Sequence, residues 1–339
     1  MQVLIISPTQ TGIGGIAQHV RGLTNFLKIN NYDVDVVSSE NTFTLPVKGL
    51  KNPSFMISAF LKTKFMKGND IVHAHNLPSA LSMKHTSGKK ILTLHGVYSK
   101  QIDVLHGKTL SNISTLYEKY ALVWADAITV VSKESYDYYT KLGFKVSLVP
   151  NAIDISSLPK KKERLYDKQI IFAGRLSKEK GISDLIEVSR NLPKDIHLLI
   201  LGSGPEEEKI REVTKLHSNI HLMGHVEKER TVSLISGSDI LIQPSLVEGI
   251  SSTLLEAMAC KTPIITTNIG GNNELLENNK SGIMIEPNSP QKILEKLIEL
   301  LSDRQKSINL SEEAFNKVQK YDCSHVGKLY LNIYESLLQ

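Results

Sequence analysis

The sequence has only two cysteines among its 339 residues, Cys260 and Cys323. They form no CxxC pair and show no Cys/His ligand spacing, so neither a disulfide framework nor a structural zinc site is indicated. We therefore expect both thiols to be reduced.

Long hydrophobic runs are also missing. No segment approaches the roughly 18 apolar residues of a membrane-spanning helix, and the N-terminus lacks the basic start and cleavage site of a signal peptide. With 41% hydrophobic and 22% charged residues, the composition is typical of a folded globular protein and excludes a disordered chain. These features predict a cytoplasmic protein.

The formal charge of +5 is concentrated in the N-terminal half of the chain. Residues 1–157 hold 16 Lys and Arg against 10 Asp and Glu, and the remainder holds 24 against 25. This excess favours an anionic partner such as a phospholipid surface or a phosphate-bearing acceptor, although lysine-rich solvated helix faces give the same composition. We expect no nucleic-acid partner.

Short runs rich in Val and Ile alternate with longer helical segments, which predicts βαβ units and mainly parallel sheets. The alternation stops in the charged segment 158–168 and then resumes, so we predict two α/β domains, residues 1–157 and 158–322. Two such domains leave a cleft in which ligands are expected outside the carboxyl ends of strands. After the last strand, helices are predicted at 290–302, 311–320 and 324–338.

The most informative motif is the segment 243–271, which carries Glu248 and Glu256 eight positions apart. Carboxylates are good acceptors for vicinal sugar hydroxyls, and at this spacing the two can reach different parts of one ligand. Taken alone, two Glu at this spacing are common and are more often an ordinary loop acid and an ordinary helix acid.

The backbone around these acids predicts a site for a diphosphate. A strand is predicted to end at Pro244 and a helix to open near Ser251. The N–H groups of Ile250, Ser251 and Ser252 would then lie at a helix N-terminus, which attracts anions. Gly249 allows backbone to approach a ligand closely.

A second motif, FAGRLSKEKG at 172–181, follows a predicted strand. Its turn contains Gly174, and Arg175 and Lys180 follow. Two cations at the carboxyl edge of a sheet would neutralise a pyrophosphate and stabilise it as a leaving group. A solvated basic turn would have the same sequence.

A glycine-rich turn with Gly12, Gly14 and Gly15 follows the first strand, but it does not match the GxGxxG dinucleotide fingerprint. The failed match argues against a dinucleotide oxidoreductase. The turn can bring backbone close to a ligand, or it can be a tight turn that requires positive φ.

Three histidines lie in or directly after predicted strands of the N-terminal half. His95 ends one strand, where an imidazole can serve a sugar hydroxyl or a structural role. His73 and His75 share one face of another strand and have no acidic partner at ligand spacing. We therefore predict that they are structural and that the protein has no metal site.

The segment 52–68, NPSFMISAFLKTKFMKG, mixes Phe, Met and Leu with three lysines. Such a segment can be a basic amphipathic helix that docks on anionic lipid, or a sheet-packing helix with a lysine-bearing outer face. An anionic membrane surface is therefore a candidate partner.

Together these segments resemble glycosyltransferase family four, the retaining transferases of the GT-B fold, over nearly the whole chain and in the expected order. The matching blocks are GGIAQHV, DIVHAHN, LTLHG, TVVSK, VPNAID, FAGRLSKEKG, LGSGPEEEKI, GHV, QPSLVEGISSTLLEAMAC and TPIITTNIGGNNELL. The chain departs from the family pattern at Lys261, where glycine is common, and at Ser251 and Ser252, where larger apolar residues are common.

The resemblance implies two Rossmann-like α/β domains facing each other across a cleft, an N-terminal one for the acceptor and a C-terminal one for the donor. It also implies that the last helix, residues 323–339, crosses back to the N-terminal domain. The order of the motifs along the chain thus assigns a task to each half.

The family also implies roles for single residues. Its first motif Glu contacts the transferred sugar and its second contacts the ribose, which correspond to Glu248 and Glu256. Arg175 and Lys180 are implied to bind the diphosphate, and His95 is implied to lie in the active site. The remaining implied donor contacts are Gly14, Gly15, Gly174, Gly224, Val226, Gly249, Ile250, Ser251 and Ser252.

The implied activity is transfer of a hexose from a UDP- or GDP-sugar to an acceptor hydroxyl, with retention and without a metal or cofactor. The acceptor expected is a saccharide or a lipid-linked molecule of cell-surface polysaccharide, lipopolysaccharide or glycolipid synthesis. The expected location is the cytoplasm, including the inner face of the membrane. Two alternatives remain open, a sugar-nucleotide epimerase of similar fold and a non-catalytic nucleotide-sugar-binding protein.

Overall fold

The structure is a computed structural model that describes residues 1–10, 15–47, 50–97 and 108–339, with the backbone alone for 108–114. The chain divides into two compact units. The N-terminal unit comprises Met1–Ile153 together with Asp322–Gln339, and the C-terminal unit comprises Asp154–Tyr321. The sequence analysis placed the first boundary later, after residue 157. Residues 154–168 contain no helix and no regular strand, so no element boundary marks the division.

The N-terminal unit is built on a six-stranded parallel sheet. Its strands are β1 Gln2–Ser7, β2 Asp33–Ser38, β3 Ile71–His75, β4 Lys89–Leu94, β5 Ala127–Val130 and β6 Val146–Leu148. They lie in the order β2-β1-β3-β4-β5-β6. The helices that precede the linker are α1 Gly15–Ile29, α2 Lys51–Thr63, α3 Leu77–His85, α4 Lys108–Val123 and α5 Lys133–Lys141.

The C-terminal unit has the same architecture. Its strands are β7 Gln169–Ala173, β8 His197–Leu201, β9 Ile220–Gly224, β10 Ile240–Gln243, β11 Ile264–Thr267 and β12 Ile283–Ile285, in the order β12-β11-β10-β7-β8-β9. Its helices are α6 Ile182–Asn191, α7 Glu207–Leu216, α8 Lys228–Ser236, α9 Ser252–Ala259, α10 Asn272–Leu275, α11 Pro290–Ser302 and α12 Arg304–Val318. A short 3-10 helix, Lys178–Lys180, precedes α6.

Hydrophobic patterning explains both sheets. The central strands β3 and β7 are buried at every position, as expected when helices cover both faces of a parallel sheet. The predicted α/β class with two parallel sheets is therefore confirmed. The pattern was readable because apolar runs and helical segments alternate throughout the chain.

One predicted helix start was wrong. The helix predicted at 311–320 begins at Arg304, because the Asp303 side chain accepts a hydrogen bond from the Lys306 backbone N–H at 2.9 Å and caps the helix. The prediction missed this start because the first turns of α12 carry few apolar residues and therefore show little periodicity.

The last helix, α13 Cys323–Leu338, belongs to the N-terminal unit and packs on α1. Two glycines allow this close packing. A Cβ at Gly22 would lie 2.3 Å from the Cys323 Sγ atom, and a Cβ at Gly327 would lie 2.2 Å from the Phe26 ring. A larger side chain at either position would force the two helices apart.

Lys261 adopts a left-handed backbone conformation with a φ of 56°. This conformation favours glycine, the residue that the resembling family commonly has at this position. The Lys261 side chain pairs with Glu312 at 2.7 Å and lies 4.6 Å above the centroid of the Phe315 ring. These contacts hold the Lys261 side chain against α12.

Among the described residues, no helix combines the length and the apolar character needed to cross a bilayer.

Candidate active site

Two loops of the C-terminal unit meet at the carboxyl edge of its sheet. One follows β7 and the other follows β10, which are neighbours in the sheet although β8 and β9 lie between them in the sequence. The Leu246 backbone N–H donates to the Glu179 carbonyl at 2.8 Å. Gly181 has a φ of 68°, and a Cβ there would lie 1.8 Å from the Pro244 carbonyl oxygen. Only glycine fits this contact, which holds the two loops together.

Lys180 and Glu248 form an ion pair across these loops. Both side chains are largely buried, with 20% of Lys180 and 13% of Glu248 exposed. Glu248 Oε2 lies 3.4 Å from the Gln243 amide nitrogen and 3.3 Å from the Ser245 hydroxyl, which can donate to it. The structure thus brings together the residues predicted for the sugar and for the diphosphate, and it holds the carboxylate in a fixed place.

The predicted anion site lies at the start of α9. The Ser251 hydroxyl accepts a hydrogen bond from the Leu254 N–H at 3.4 Å, which makes Ser251 the N-cap of this helix. The first N–H groups of any helix have no acceptor within the helix, and the helix dipole favours an anion beside them. Ile250 and Ser251 are buried and Gly249 is exposed, so this backbone reaches the surface at Gly249.

The sequence analysis did not identify two glycines, Gly270 and Gly271, that pack against the backbone of this loop. A Cβ at Gly271 would lie 2.0 Å from the Gly249 carbonyl oxygen, and one at Gly270 would lie 2.8 Å from the Glu248 carbonyl oxygen. The space around Gly249 itself is open. The close backbone contacts are therefore made by Gly270 and Gly271, and the pair of adjacent glycines after β11 was the signal in the sequence.

Glu256 is buried within α9, and its partner is Lys228, the first residue of α8. The side chain of Lys228 remains 43% exposed, whereas that of Glu256 is only 3% exposed. Lys228 was not among the predicted site residues. No local pattern in the sequence indicated this pair, because Lys228 and Glu256 lie in different helices.

The other predicted donor contacts of this unit lie at the ends of β7 and β9. The Gly174 N–H donates to the Leu201 carbonyl at 3.0 Å, and Arg175 beside it is exposed. Gly224, with a φ of 65°, ends β9, and Val226 follows it shortly before Lys228. These residues line the same carboxyl edge, so the predicted set is spread along one edge of one sheet.

The N-terminal unit gathers four histidines under the carboxyl edge of its own sheet. His73 and His75 stack with ring centroids 4.3 Å apart, and the ring of His19 from α1 lies 5.5 Å from that of His75 and 5.1 Å from that of His95. His19 lies in the GGIAQHV segment, but the sequence analysis did not predict it as a site residue.

Both ring nitrogens of His95 have partners within this unit. Its Nδ1 atom lies 3.0 Å from Asn151 Oδ1, and its Nε2 atom lies 3.1 Å from His75 Nδ1. Because an amide oxygen only accepts, His95 carries its proton on Nδ1, and its Nε2 atom accepts the proton of His75 Nδ1. The same assignment leaves His75 Nε2 as a buried acceptor without a partner among the described residues.

The final helix α13 supplies tyrosines to this cluster. Tyr330 lies 3.1 Å from His19 Nε2, and Tyr334 lies 2.7 Å from His73 Nδ1. The Ala152 N–H donates to His19 Nδ1 at 3.1 Å. The last residues of the chain therefore help to orient histidines from the first hundred residues.

His19, His75 and His95 each have one ring nitrogen that lies within 4.8 Å of a ring nitrogen of the other two. Three neutral imidazoles are a donor set that zinc or copper accepts. However, all ring nitrogens of this trio except His75 Nε2 are engaged in the hydrogen bonds described above. A metal would have to displace them, so we interpret the trio as a hydrogen-bonded network.

Burial lowers the pKa of all four histidines, to about 3 for His73 and about 4 for His95. The unfolded chain, with histidine pKa values near 6.5, then binds more protons than the folded protein below that pH. We predict that stability is full above about pH 7 and falls as the pH drops from 7 to 5, by roughly 2 kcal/mol for His73 and by roughly the same amount for His95. Thermal unfolding followed across this range measures the effect.

Substitution of His73 by Asn should make this pH dependence shallower by about one proton, whatever its effect on absolute stability. Substitution of the exposed Asn191, which does not titrate, by Ala serves as the control and should leave the slope unchanged. An unfolding midpoint that stays constant between pH 7 and pH 5 would contradict the prediction.

Of the predicted glycine turn, Gly12 and Gly14 lie outside the described residues. Gly15 is the first residue of α1, and a Cβ there would lie 3.7 Å from the Asn151 side-chain nitrogen. Gly15 is thus placed beside Asn151, the partner of His95.

Comparison with known proteins agrees with this architecture. A family model described as Glycosyl transferases group 1 matches residues 155–317, and one described as Glycosyltransferase Family 4 matches residues 13–157. An uncharacterized glycosyltransferase of Methanocaldococcus jannaschii is 29% identical, with 99% of each chain covered.

Solved structures also resemble the chain. Sucrose-phosphate synthase from Thermosynechococcus elongatus aligns with a TM-score of 0.82 and 17% identity over 99% of this chain and 98% of its own. HepE from Anabaena, solved in complex with UDP-glucose, aligns with a TM-score of 0.72 and 16% identity over 99% and 100%. The predicted GT-B fold is therefore confirmed.

Proposed function

The chain belongs to the group 1 glycosyltransferases of family 4, and from this membership we propose that it is a retaining transferase that moves a sugar from a nucleotide diphosphate sugar to an acceptor hydroxyl. The observation that carries the proposal is the Lys180–Glu248 pair at the edge of the C-terminal sheet, beside the start of α9. A glycosyltransferase needs a carboxylate for sugar hydroxyls and cations for a departing diphosphate in such a place. Membership of this family favours a transferase over the two alternatives, a sugar-nucleotide epimerase and a non-catalytic nucleotide-sugar-binding protein.

In the proposed donor complex, the diphosphate lies at the N-terminus of α9, close to Arg175 and Lys180. Glu248 accepts hydrogen bonds from the transferred sugar, and Glu256 accepts them from the ribose. In the structure, each of these two carboxylates forms an ion pair with a lysine. Lys180 can turn from Glu248 toward the phosphate, and the half-exposed Lys228 can release Glu256, so binding exchanges one set of ionic contacts for another.

The proposed reaction breaks the bond between the anomeric carbon and the diphosphate oxygen and forms one to the acceptor oxygen on the same face. The diphosphate takes the acceptor proton. Arg175, Lys180 and the helix N-terminus stabilise the charge that develops on the diphosphate, which is the work that a divalent cation performs in other transferases. We therefore propose that transfer proceeds without a metal.

His95 has a more restricted part in this proposal. Its ring nitrogens are held by Asn151 and His75, so a contact with substrate requires it to exchange the His75 hydrogen bond for one to the ligand. The acceptor is proposed to be a saccharide or a lipid-linked molecule bound by the N-terminal unit.

A thermal-shift screen with UDP, GDP, ADP, CDP and their sugar conjugates tests the donor proposal, with UDP-glucose as the first candidate because HepE was solved with it. A selective rise in the unfolding temperature that persists in EDTA supports a metal-independent nucleotide-sugar site. No shift with any nucleotide at millimolar concentration would refute it.

A further inference from the structure

The outward face of α2 is apolar, although this helix already buries an apolar face. Phe55, Ala59 and Thr63 face the core. Ile57 and Leu61 lie two residues further along, on the opposite side of the helix, and are 62% and 54% exposed. A helix that only covers a sheet presents polar residues on that side, so these two need another explanation.

Exposed apolar residues also flank both ends of this helix. We call the following residues the α2 surface: Phe43, Leu45, Val47, Leu50, Ile57, Leu61 and Phe65, all of which are exposed. The Leu45 N–H donates to the Ser54 hydroxyl at 2.9 Å, which holds the preceding loop against the helix. Phe43 and Phe65 are 71% and 81% exposed. Single exposed apolar residues are ordinary, but a row that follows one helix and its flanking loop indicates an interaction surface.

The charge around this row has one sign. Residues 41–69 contain no Asp or Glu, and the exposed lysines there are Lys51, Lys62, Lys64 and Lys67. The nearest preceding acid, Glu40, accepts hydrogen bonds from the Thr9 hydroxyl and the Gln10 N–H. It is therefore directed toward β1 and does not neutralise the lysines of the helix.

A row of exposed Phe, Leu and Ile flanked by lysines suits the interface of an anionic bilayer, where apolar side chains enter the acyl boundary and lysines meet the phosphates. A second copy of the chain fits less well. A symmetric dimer would place this acid-free surface against itself and bring lysines of like charge together. The α2 helix is roughly 20 Å long, enough to lie along a membrane surface.

We propose that the α2 surface docks this protein on an anionic lipid bilayer. Ile57, Leu61 and Phe65 enter the interface, and Lys51, Lys64 and Lys67 contact lipid phosphates. Docking needs no nucleotide and no transfer reaction, so it is independent of the proposed function.

Co-sedimentation of the full-length protein with lipid vesicles tests this proposal. The vesicles contain phosphatidylcholine alone or phosphatidylcholine mixed with phosphatidylglycerol, and both are tested at low and high salt. We expect binding to the anionic vesicles that weakens with salt, and little binding to the neutral ones.

Two variants separate the apolar and the charged contributions. Ile57→Ser/Leu61→Ser/Phe65→Ser removes exposed side chains, so the unfolding temperature should stay near that of the unmodified protein while binding falls at least tenfold. Lys51→Gln/Lys64→Gln/Lys67→Gln should reduce binding on the order of a hundredfold. The matched control is Leu216→Ser with Lys215→Gln at the end of α7 in the other unit, which should bind as the unmodified protein does.

Equal binding to neutral and anionic vesicles, no binding to either, or equal loss in the α7 control would overturn the proposal. Sedimentation velocity provides a further check. If the triple serine variant converts a dimer into a monomer, or if it releases a bound acidic protein, the surface belongs to a protein partner and the lipid proposal is wrong.

Discussion

Replacing Glu248 with Gln is expected to lower the rate of sugar transfer by about a thousandfold while nucleotide affinity changes little. The substitution keeps the shape of the side chain but removes its negative charge. That charge contacts Lys180 in the structure and the sugar hydroxyls in the proposed complex. Charge-assisted hydrogen bonds that strengthen in a transition state contribute about 2.7–4 kcal/mol each, which corresponds to a hundredfold to a thousandfold in rate. Lys180 remains partly exposed, so it can be solvated and the fold should persist.

Initial rates of transfer and calorimetric titration with the free nucleotide measure these two quantities. The matched control is Glu312→Gln, which removes one partner of the exposed Lys261–Glu312 pair in the same unit. This control should leave both quantities unchanged. If the Glu248 variant turns over within threefold of the unmodified protein, Glu248 does not contact the reacting sugar.

Replacing Lys180 with Ala is expected to reduce transfer by a hundredfold to a thousandfold and to weaken binding of the nucleoside diphosphate more than that of the nucleoside. Lys180 is one of two cations proposed to neutralise the leaving diphosphate, and its loss leaves that charge to Arg175 and the start of α9. The ratio of the two affinities separates a phosphate contact from a general loss of the site.

The control for this experiment lies two residues away. Lys178 is exposed on the same 3-10 helix, and Lys178→Ala should behave as the unmodified protein does. The double variant Lys180→Ala/Glu248→Gln should lose less than the sum of the single effects, because the two side chains contact each other. If Lys180→Ala weakens the nucleoside and the diphosphate equally, the lysine supports the loop and does not bind phosphate.

The residues predicted for the donor lie where α/β topology places the carboxyl ends of strands. The loops of Lys180 and Glu248 could be recognised because each follows a buried strand and carries a charged or glycine-rich motif. Their pairing could not be predicted from spacing, since 68 positions separate them and only the adjacency of β7 and β10 brings them together. Lys228 was missed for the same reason, because its partner Glu256 is in another helix.

The hydrogen bonds of the four histidines could be predicted even less well from the sequence, because their partners lie far away in the chain. The strand period placed His73 and His75 on one face, and the end of β4 placed His95 at the sheet edge. Nothing local in the sequence indicated that Tyr330 would reach His19, 311 residues earlier, or that Asn151 would occupy His95 Nδ1. The sequence therefore identified His95 as a candidate but not that both of its ring nitrogens are engaged.

The sequence by itself determined the two parallel α/β sheets, the order of the motifs and the family, because the periodicity of buried strands and helices and the short motifs are local properties of the chain. The tertiary structure alone decided which charges pair, which histidine nitrogens are occupied, and that the apolar residues of α2 face outward. These depend on strand order and helix docking, which join residues that are far apart in the chain and whose burial no local pattern specifies.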